Sequence, residues 1–379
     1  MSNRVAFIST IPFDWGGSEE LWAAAALNLI ERNYQLDVYK ALQTKRHPKL
    51  EHLLSLGCRL RTPNGYQLPA AIRALNRFLP YRYHRSQQAY YGALLRKQSP
   101  DLAVISQGWN WDGLGWAKSC QEAEIPYVLI SHQASLRGWP SDTDVADVAA
   151  AHLNAKGTFY VAQRLLERTE EMIGAKIPHA EIVRNPFNVK TSQPLPWPDE
   201  AEGFRLACVG RFEFKDKGQD VLIRVMSQDK WRERPVTVSF FGSGMNEQGM
   251  RRLIDFTGAE NCQIAGHTDS VEDLWRNHHA LVLSSREEGL PLVVVEAMMC
   301  GRPCIVTDVV GNSELLEEGR SGFVCPAPTA ALLDTTLERA WDQRSNWAGM
   351  GRHASESVRN VIPSNPGQVF ADRLVALLK

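Results

Sequence analysis

Two doubly wound, parallel-sheet α/β domains joined by a proline-rich break are what this sequence predicts, and three observations predict them. Short apolar strands alternate with amphipathic helices along the chain, the pattern of parallel sheets covered by helices on both faces. The alternation stops at Asn185–Gly203, where Pro186, Pro194, Pro196 and Pro198 fall close together, and then begins again. Glycines and charges gather just after strands, where open α/β sheets hold their ligands.

In order, strands are expected at Arg4–Ile11, Gln35–Leu42, Asp101–Gln107, Tyr127–His132, Thr158–Ala162 and Ala180–Val183. Helices such as Ser18–Arg32 and Asp112–Ala123 fill the gaps. A second series follows at Arg205–Gly210, Val236–Gly242, Gln263–Gly266, Ala280–Ser284 and Pro303–Thr307. The last helix, near Pro366–Leu378, follows its own break at Pro363 and Pro366. The expected organisation is therefore a domain over 1–187, a linker over 188–203, a second domain over 204–362 and a terminal helix over 363–379, with a cleft between the domains.

Composition narrows the function classes. At 379 residues the chain exceeds one ordinary core. Hydrophobic residues make up 44% and charged ones 22%, as in a soluble globular protein. No stretch approaches the roughly 18 apolar residues of a membrane span. Val5–Ile11 is too short for a signal peptide and reads as a first strand. Seven scattered cysteines argue for a reducing compartment over a disulfide framework. The net charge of −1 selects no partner. Between Lys40 and Lys97, however, twelve Lys or Arg stand against one acid, Glu51. Residues 73–85 interleave cations with aromatics, which suits an anionic membrane surface, an anionic acceptor or a solvated helical face alike.

The segment carrying most chemistry is Leu281–Asp308, LVLSSREEGLPLVVVEAMMCGRPCIVTD. A buried strand breaks at Arg286–Gly289, and a helix opens with Pro291 at its first position. Glu288 lies in the loop and Glu296 about one and a half turns into the helix, roughly 8–12 Å along one side at about 1.5 Å of rise per residue. Backbone amides of Gly289 and Leu290 sit at the same helix start. Amides and dipole suit a phosphate, and carboxylates suit sugar hydroxyls. The plain alternative is an ordinary βαβ unit with two solvated acids.

Four further elements fall at strand ends. Gly16–Gly17–Ser18–Glu19–Glu20 opens a helix, where adjacent glycines allow a ligand close to the backbone. Val209–Gly210–Arg211 through Lys217–Gly218 places a guanidinium and an ammonium where a diphosphate could sit. His132 ends a strand and can bond a sugar hydroxyl or a phosphate. Trp109, Trp111 and Trp139 can stack on sugar faces as an acceptor site, or pack at domain edges. Asp142–Thr143–Asp144 is not read as a metal site, because acids there simply favour a helix start. Gly242–Ser243–Gly244 resembles half a dinucleotide fingerprint but has Glu247 at the third glycine position, so a nicotinamide enzyme is not expected.

Together GGSEE, VGRFEFKDKG, FGSG and EGLPLVVVEAMMCGRP resemble the retaining glycosyltransferases of the two-Rossmann GT-B fold, in particular family 4, over nearly the whole chain. The last run is that family's Glu-x7-Glu signature. The resemblance implies that Glu296 binds the ribose of a nucleoside diphosphate sugar. It implies that Glu288, Gly289 and Leu290 hold the donor sugar, that Arg211, Lys217 and Gly210 take the diphosphate, that Gly17 approaches it and that His132 touches the sugar. It also implies catalysis without metal or cofactor, with same-face departure and attack, and a terminal helix that crosses back to the first domain. The expected partners are a nucleotide sugar and a carbohydrate or lipid-linked acceptor, with no nucleic acid. The expected setting is cytoplasmic polysaccharide or glycolipid biosynthesis, at the inner membrane face if the basic stretch docks there. Val310–Gly311 stands where the family commonly has a double glycine. Rival readings are an epimerase or phosphorylase of the same fold, or a non-catalytic sugar-nucleotide-binding module.

Overall fold

The structure, a computed structural model, describes residues 3–11, 13–41, 46–62, 90–134, 138–268 and 270–378. It divides into two compact units: Met1–Pro186 with Asn365–Lys379, and Phe187–Ser364. Most of the basic stretch, residues 63–89, lies outside the described residues.

The first unit is built on a seven-stranded sheet: β1 (Arg4–Ser9), β2 (Gln35–Tyr39), β3 (Arg59–Arg61), β4 (Leu102–Gln107), β5 (Tyr127–Ser131), β6 (Gly157–Tyr160) and β7 (Ala180–Ile182). Its order is β3-β2-β1-β4-β5-β6-β7, and every pairing is parallel. The strand order reverses between β1 and β4, so the loops leaving those two strands part company and open a crevice at their carboxyl ends. Central strands such as LAVISQ are buried at every position, as expected of a sheet covered on both faces. The helix Gly17–Glu31 covers one face with Leu21, Trp22, Ala25, Ala26 and Leu29. Trp116, Ala117 and Cys120 belong to a separate buried cluster with Ala6, Ile8, Ala103 and Ile105.

The terminal helix, Pro366–Leu378, belongs to this unit and lies on the helix Gly17–Glu31. A β-carbon at Gly367 would sit 2.5 Å from Ala24 Cβ, so the close approach requires glycine. Phe370 then meets Phe159 edge to face, 5.0 Å between centroids, and Arg32 pairs with Asp372 at 2.6 Å.

The second unit has six parallel strands: β8 (Phe204–Val209), β9 (Val236–Phe241), β10 (Cys262–Gly266), β11 (Ala280–Leu283), β12 (Cys304–Thr307) and β13 (Gly322–Cys325). Their order, β10-β9-β8-β11-β12-β13, reverses between β8 and β11. Residues 187–203 have no regular structure but are stitched to this unit. Arg302, only 1% exposed, does much of the stitching. It donates to Leu195 O and Pro196 O in that segment, and to Trp275 O, His278 O, Cys300 O and Gly301 O. Burial lowers its pKa to about 10, which still leaves it charged at neutral pH.

Two expected helix starts differ. The helix expected at Asp112 begins at Leu114, because the Asp112 carboxylate closes a turn on Trp109 N at 2.8 Å and Gly113 is left-handed at φ 73°. Pro291 is the cap of its helix, with ψ 128°, and the helix runs Leu292–Met299.

Candidate active site

In the second unit the two loops that part at the sheet reversal are fastened together. After β8 the chain makes a one-turn helix, Phe214–Lys217, and turns at Gly218, which is left-handed at φ 61°. A β-carbon there would lie 2.1 Å from Ser284 O, so only glycine lets this loop abut the end of β11. Ser284 Oγ donates back to Gly218 O at 2.7 Å. Arg286 grips both Asp220 carboxylate oxygens, at 2.6 and 2.9 Å, and its backbone N donates to Asp216 O at 2.7 Å. A bidentate fork of this kind fixes geometry as well as supplying energy.

That clamp brings Lys217 to Glu288. Lys217 Nζ donates to Glu288 Oε1 at 2.7 Å, and Ser285 Oγ donates to the same oxygen at 2.8 Å. The Lys217 side chain is 21% exposed and that of Glu288 7%, so the pair is shielded yet reachable. Behind it, Thr307 Oγ1 donates to Ser285 O and Asn312 Nδ2 to Thr307 O. Asn312 therefore supports the loop from below. Next to it, Val310 adopts φ 44°, a costly conformation for a β-branched side chain.

Glu296 is the single ionisable group in an otherwise apolar helix, LVVVEAMM, and is buried. Its Oε1 accepts from Asn188 N at 3.1 Å and from Asn188 Nδ2 at 3.0 Å, which fixes the carboxylate's orientation. Arg211 is half-exposed and pairs within its own loop, with Glu213 at 3.0 Å and Asp216 at 3.9 Å. Gln219 Nε2 donates to Arg211 O at 2.7 Å. Gly210 N donates to Phe241 O at 3.0 Å, which joins this loop to the end of β9. Leu290 is buried beside Gly289.

The first unit holds the remaining candidates. Gly17 is the first residue of its helix, after an extended Gly16. Beneath that turn a fully buried pair, Lys40 and Glu19, stands at 3.5 Å, and Lys40 Nζ donates to Phe13 O at 2.9 Å. Burial raises the Glu19 pKa and lowers that of Lys40. His132 follows β5 but is buried, with Nε2 3.3 Å from Ser106 Oγ. Burial holds its pKa down at about 3, so its ring is neutral and unsuited to pairing with phosphate. Trp109 and Trp111, both half-buried, flank Asn110, which donates to Thr169 Oγ1 at 3.0 Å and pins their turn. Trp139 is 54% exposed and lies 4.6 Å under the Arg168 guanidinium.

Sequence reading missed Ser285, Arg286, Asp220 and Asn188. Arg286 adjoins the two-glutamate run and was open to suspicion. Asn188 sits among prolines with no local signal. Among the described residues no cluster of three or more His, Cys, Asp or Glu could hold a metal ion.

Residues 203–342 match the family described as "Glycosyl transferases group 1". An N-acetyl-alpha-D-glucosaminyl L-malate synthase from Bacillus anthracis is 28% identical over 158 residues, which is 38% of this chain and 41% of the relative. The GtfA subunit of a UDP-N-acetylglucosamine–peptide N-acetylglucosaminyltransferase from Streptococcus gordonii is 28% identical over 261 residues, 65% of this chain and 50% of that one. The chain thus spans half or less of the length of these curated relatives. Among solved structures, Anabaena Alr3699/HepE in complex with UDP superposes with TM-score 0.74 at 18% identity, covering 98% of this chain and 100% of that one. The same protein is also solved with UDP-glucose. At that identity the likeness speaks for the fold, which is the GT-B fold of two Rossmann-like domains. Over 203–342 the chain is thus similar to group 1 glycosyltransferases, and over nearly its whole length it shares the GT-B fold.

Proposed function

We propose that this chain transfers a sugar from a nucleoside diphosphate sugar to a hydroxyl acceptor, with retention of anomeric configuration and without a metal, as a family 4 enzyme of polysaccharide or glycolipid biosynthesis. The observation that carries the reading is the Lys217–Glu288 pair, set where the second sheet reverses. In this reading the domain over 204–362 takes the donor and the domain over 1–187 the acceptor. Lys217 and Arg211 stabilise the charge that grows on the departing diphosphate. Glu288 holds Lys217 in place and, with Gly289 and Leu290, faces the donor sugar. Glu296, oriented by Asn188, accepts from the ribose hydroxyls. Gly17 approaches the diphosphate, His132 meets a sugar hydroxyl, and Trp109, Trp111 and Trp139 receive the acceptor.

Retention is supported by the state of Glu288. One of its oxygens already accepts from an ammonium and a hydroxyl, which suits a holding group and ill suits a nucleophile. The leaving diphosphate then takes the acceptor proton on the same face.

A two-stage assay tests the proposal. A thermal-shift screen of nucleoside diphosphate sugars identifies the donor by mass action. Free nucleoside diphosphate should then be released rapidly only when a hydroxyl acceptor is added. Epimerised or phosphorolysed donor, or binding with no release across an acceptor panel, would contradict it.

A further inference from the structure

We propose that Lys40 is a positioning residue: through a buried ion pair with Glu19 it holds the loop after β1, and with it the Gly16–Gly17 turn, in the shape that receives the diphosphate of a nucleotide sugar. This deepens the function proposed above and rests on it, since that function sets Gly17 against the diphosphate. Lys40 directly follows β2, and the neighbouring strand β1 ends at Ser9. Its side chain is fully buried and reaches across the end of β1, the strand beside which the sheet order reverses.

The ammonium is fully engaged. Lys40 Nζ donates to Phe13 O at 2.9 Å and to Ser9 Oγ at 3.2 Å, and stands 3.5 Å from Glu19 Oε2. Its three hydrogens thus face three acceptors. Ser9 Oγ passes its own hydrogen to Glu19 Oε1 at 2.8 Å, and Trp22 Nε1 donates to Glu19 Oε2 at 2.8 Å. Ser9 belongs to β1, Glu19 and Trp22 to the helix Gly17–Glu31, and Phe13 to the loop between them. One buried cation therefore ties strand, loop and helix together.

Stability alone does not account for this arrangement. A buried ion pair is often no more stable than apolar side chains of similar volume, because each charge gives up its water. Burial works against the charge on both groups here. What an apolar pair could not do is bond a loop carbonyl from beneath. The two ends of the loop are held by backbone: Thr10 N donates to Ser106 O at 3.1 Å, and Glu19 N to Gly16 O at 3.0 Å. Lys40 takes the carbonyl of Phe13 between those points, three residues before Gly16. Phe13 is 46% exposed, so burial of its own ring does little to anchor the loop.

The test compares two variants of the full-length protein. Lys40→Met alone leaves the Glu19 carboxylate buried without its cation and should melt well below the wild type. Lys40→Met combined with Glu19→Gln removes both charges and should melt close to the wild type. In that double variant, hydrogen exchange read by mass spectrometry should show the amides of residues 13–17 opening about tenfold faster, with those of β4 unchanged. Titration with UDP-glucose should give the wild-type stoichiometry and Kd, while kcat with the donor and acceptor selected by the two-stage assay falls about tenfold. Faster exchange throughout the first unit, or a double variant that does not fold, would make the pair a part of the fold alone and overturn the proposal. Wild-type exchange in the loop, or wild-type kcat, would overturn it too. A protein that turns over no nucleotide sugar would remove the function proposed above, while the exchange rates of the apo protein would still decide whether Lys40 holds the loop.

Discussion

Among single side chains, the proposed function rests most heavily on Lys217. Its ammonium is delivered by a one-turn helix that ends at Gly218 and is steadied by Glu288. Lys217→Ala should lower kcat at least tenfold, about 1.4 kcal/mol of transition-state stabilisation, while circular dichroism and melting temperature change little. Unchanged turnover would take Lys217 out of the mechanism. The sequence singled this residue out because the run GRFEFKDKG follows a strand and precedes a helix. The pairing was not legible there. Nothing in a linear chain says that Glu288, 71 positions later, shares a hydrogen bond with it; the Arg286–Asp220 fork and the Gly218–Ser284 contact decide that, and they exist only in three dimensions.

Among elements, the terminal helix shows how packing can reverse a local preference. In an open helix Gly→Ala stabilises by up to about 1 kcal/mol. At Gly367 the added methyl meets Ala24 at 2.5 Å, and the helix must shift. Overpacking of this kind costs about 1–3 kcal/mol, so Gly367→Ala should lower the melting temperature of the first unit by several degrees. A raised melting temperature would show that the two helices are less tightly apposed. The helix itself was easy to foresee, since prolines mark its start and apolar residues recur along it. Two strands were not. β3 has only three residues, lies at a sheet edge and reads as part of a basic stretch. β13 is four residues long and begins at Gly322, where an added β-carbon would lie 2.0 Å from Cys304 O. Short edge strands take their conformation from a neighbour, which leaves little periodicity to read. Arg302 is another case: the sequence offers one arginine after a glycine, and the fold makes it the anchor of a proline-rich segment.

For the whole molecule, four buried histidines predict how stability follows pH. Burial pushes His132 to about 3 and His152 and His279 to about 4, and lowers His278 as well. The unfolded chain binds protons near pH 6.5, where the folded chain does not, so stability is full above that value. It is then lost as pH falls from about 6.5 through about 4. The melting temperature should drop steadily across that window, with net proton uptake on unfolding. A flat profile between pH 6.5 and 4.5 would mean that these rings are solvated or already charged in the native state. The two-sheet plan was readable from alternation alone. The meeting of Lys217 and Glu288 across two loops of one sheet became visible only with strand order, because β8 and β11 are neighbours in space and far apart in sequence.

The decisive measurement is a crystal structure with the nucleoside diphosphate that gives the largest thermal shift. The diphosphate should lie within hydrogen-bond reach of Lys217 Nζ and Arg211, with the ribose hydroxyls on Glu296. Density at any other place in the molecule, or Lys217 and Glu296 left untouched by the bound nucleotide, would contradict the assignment.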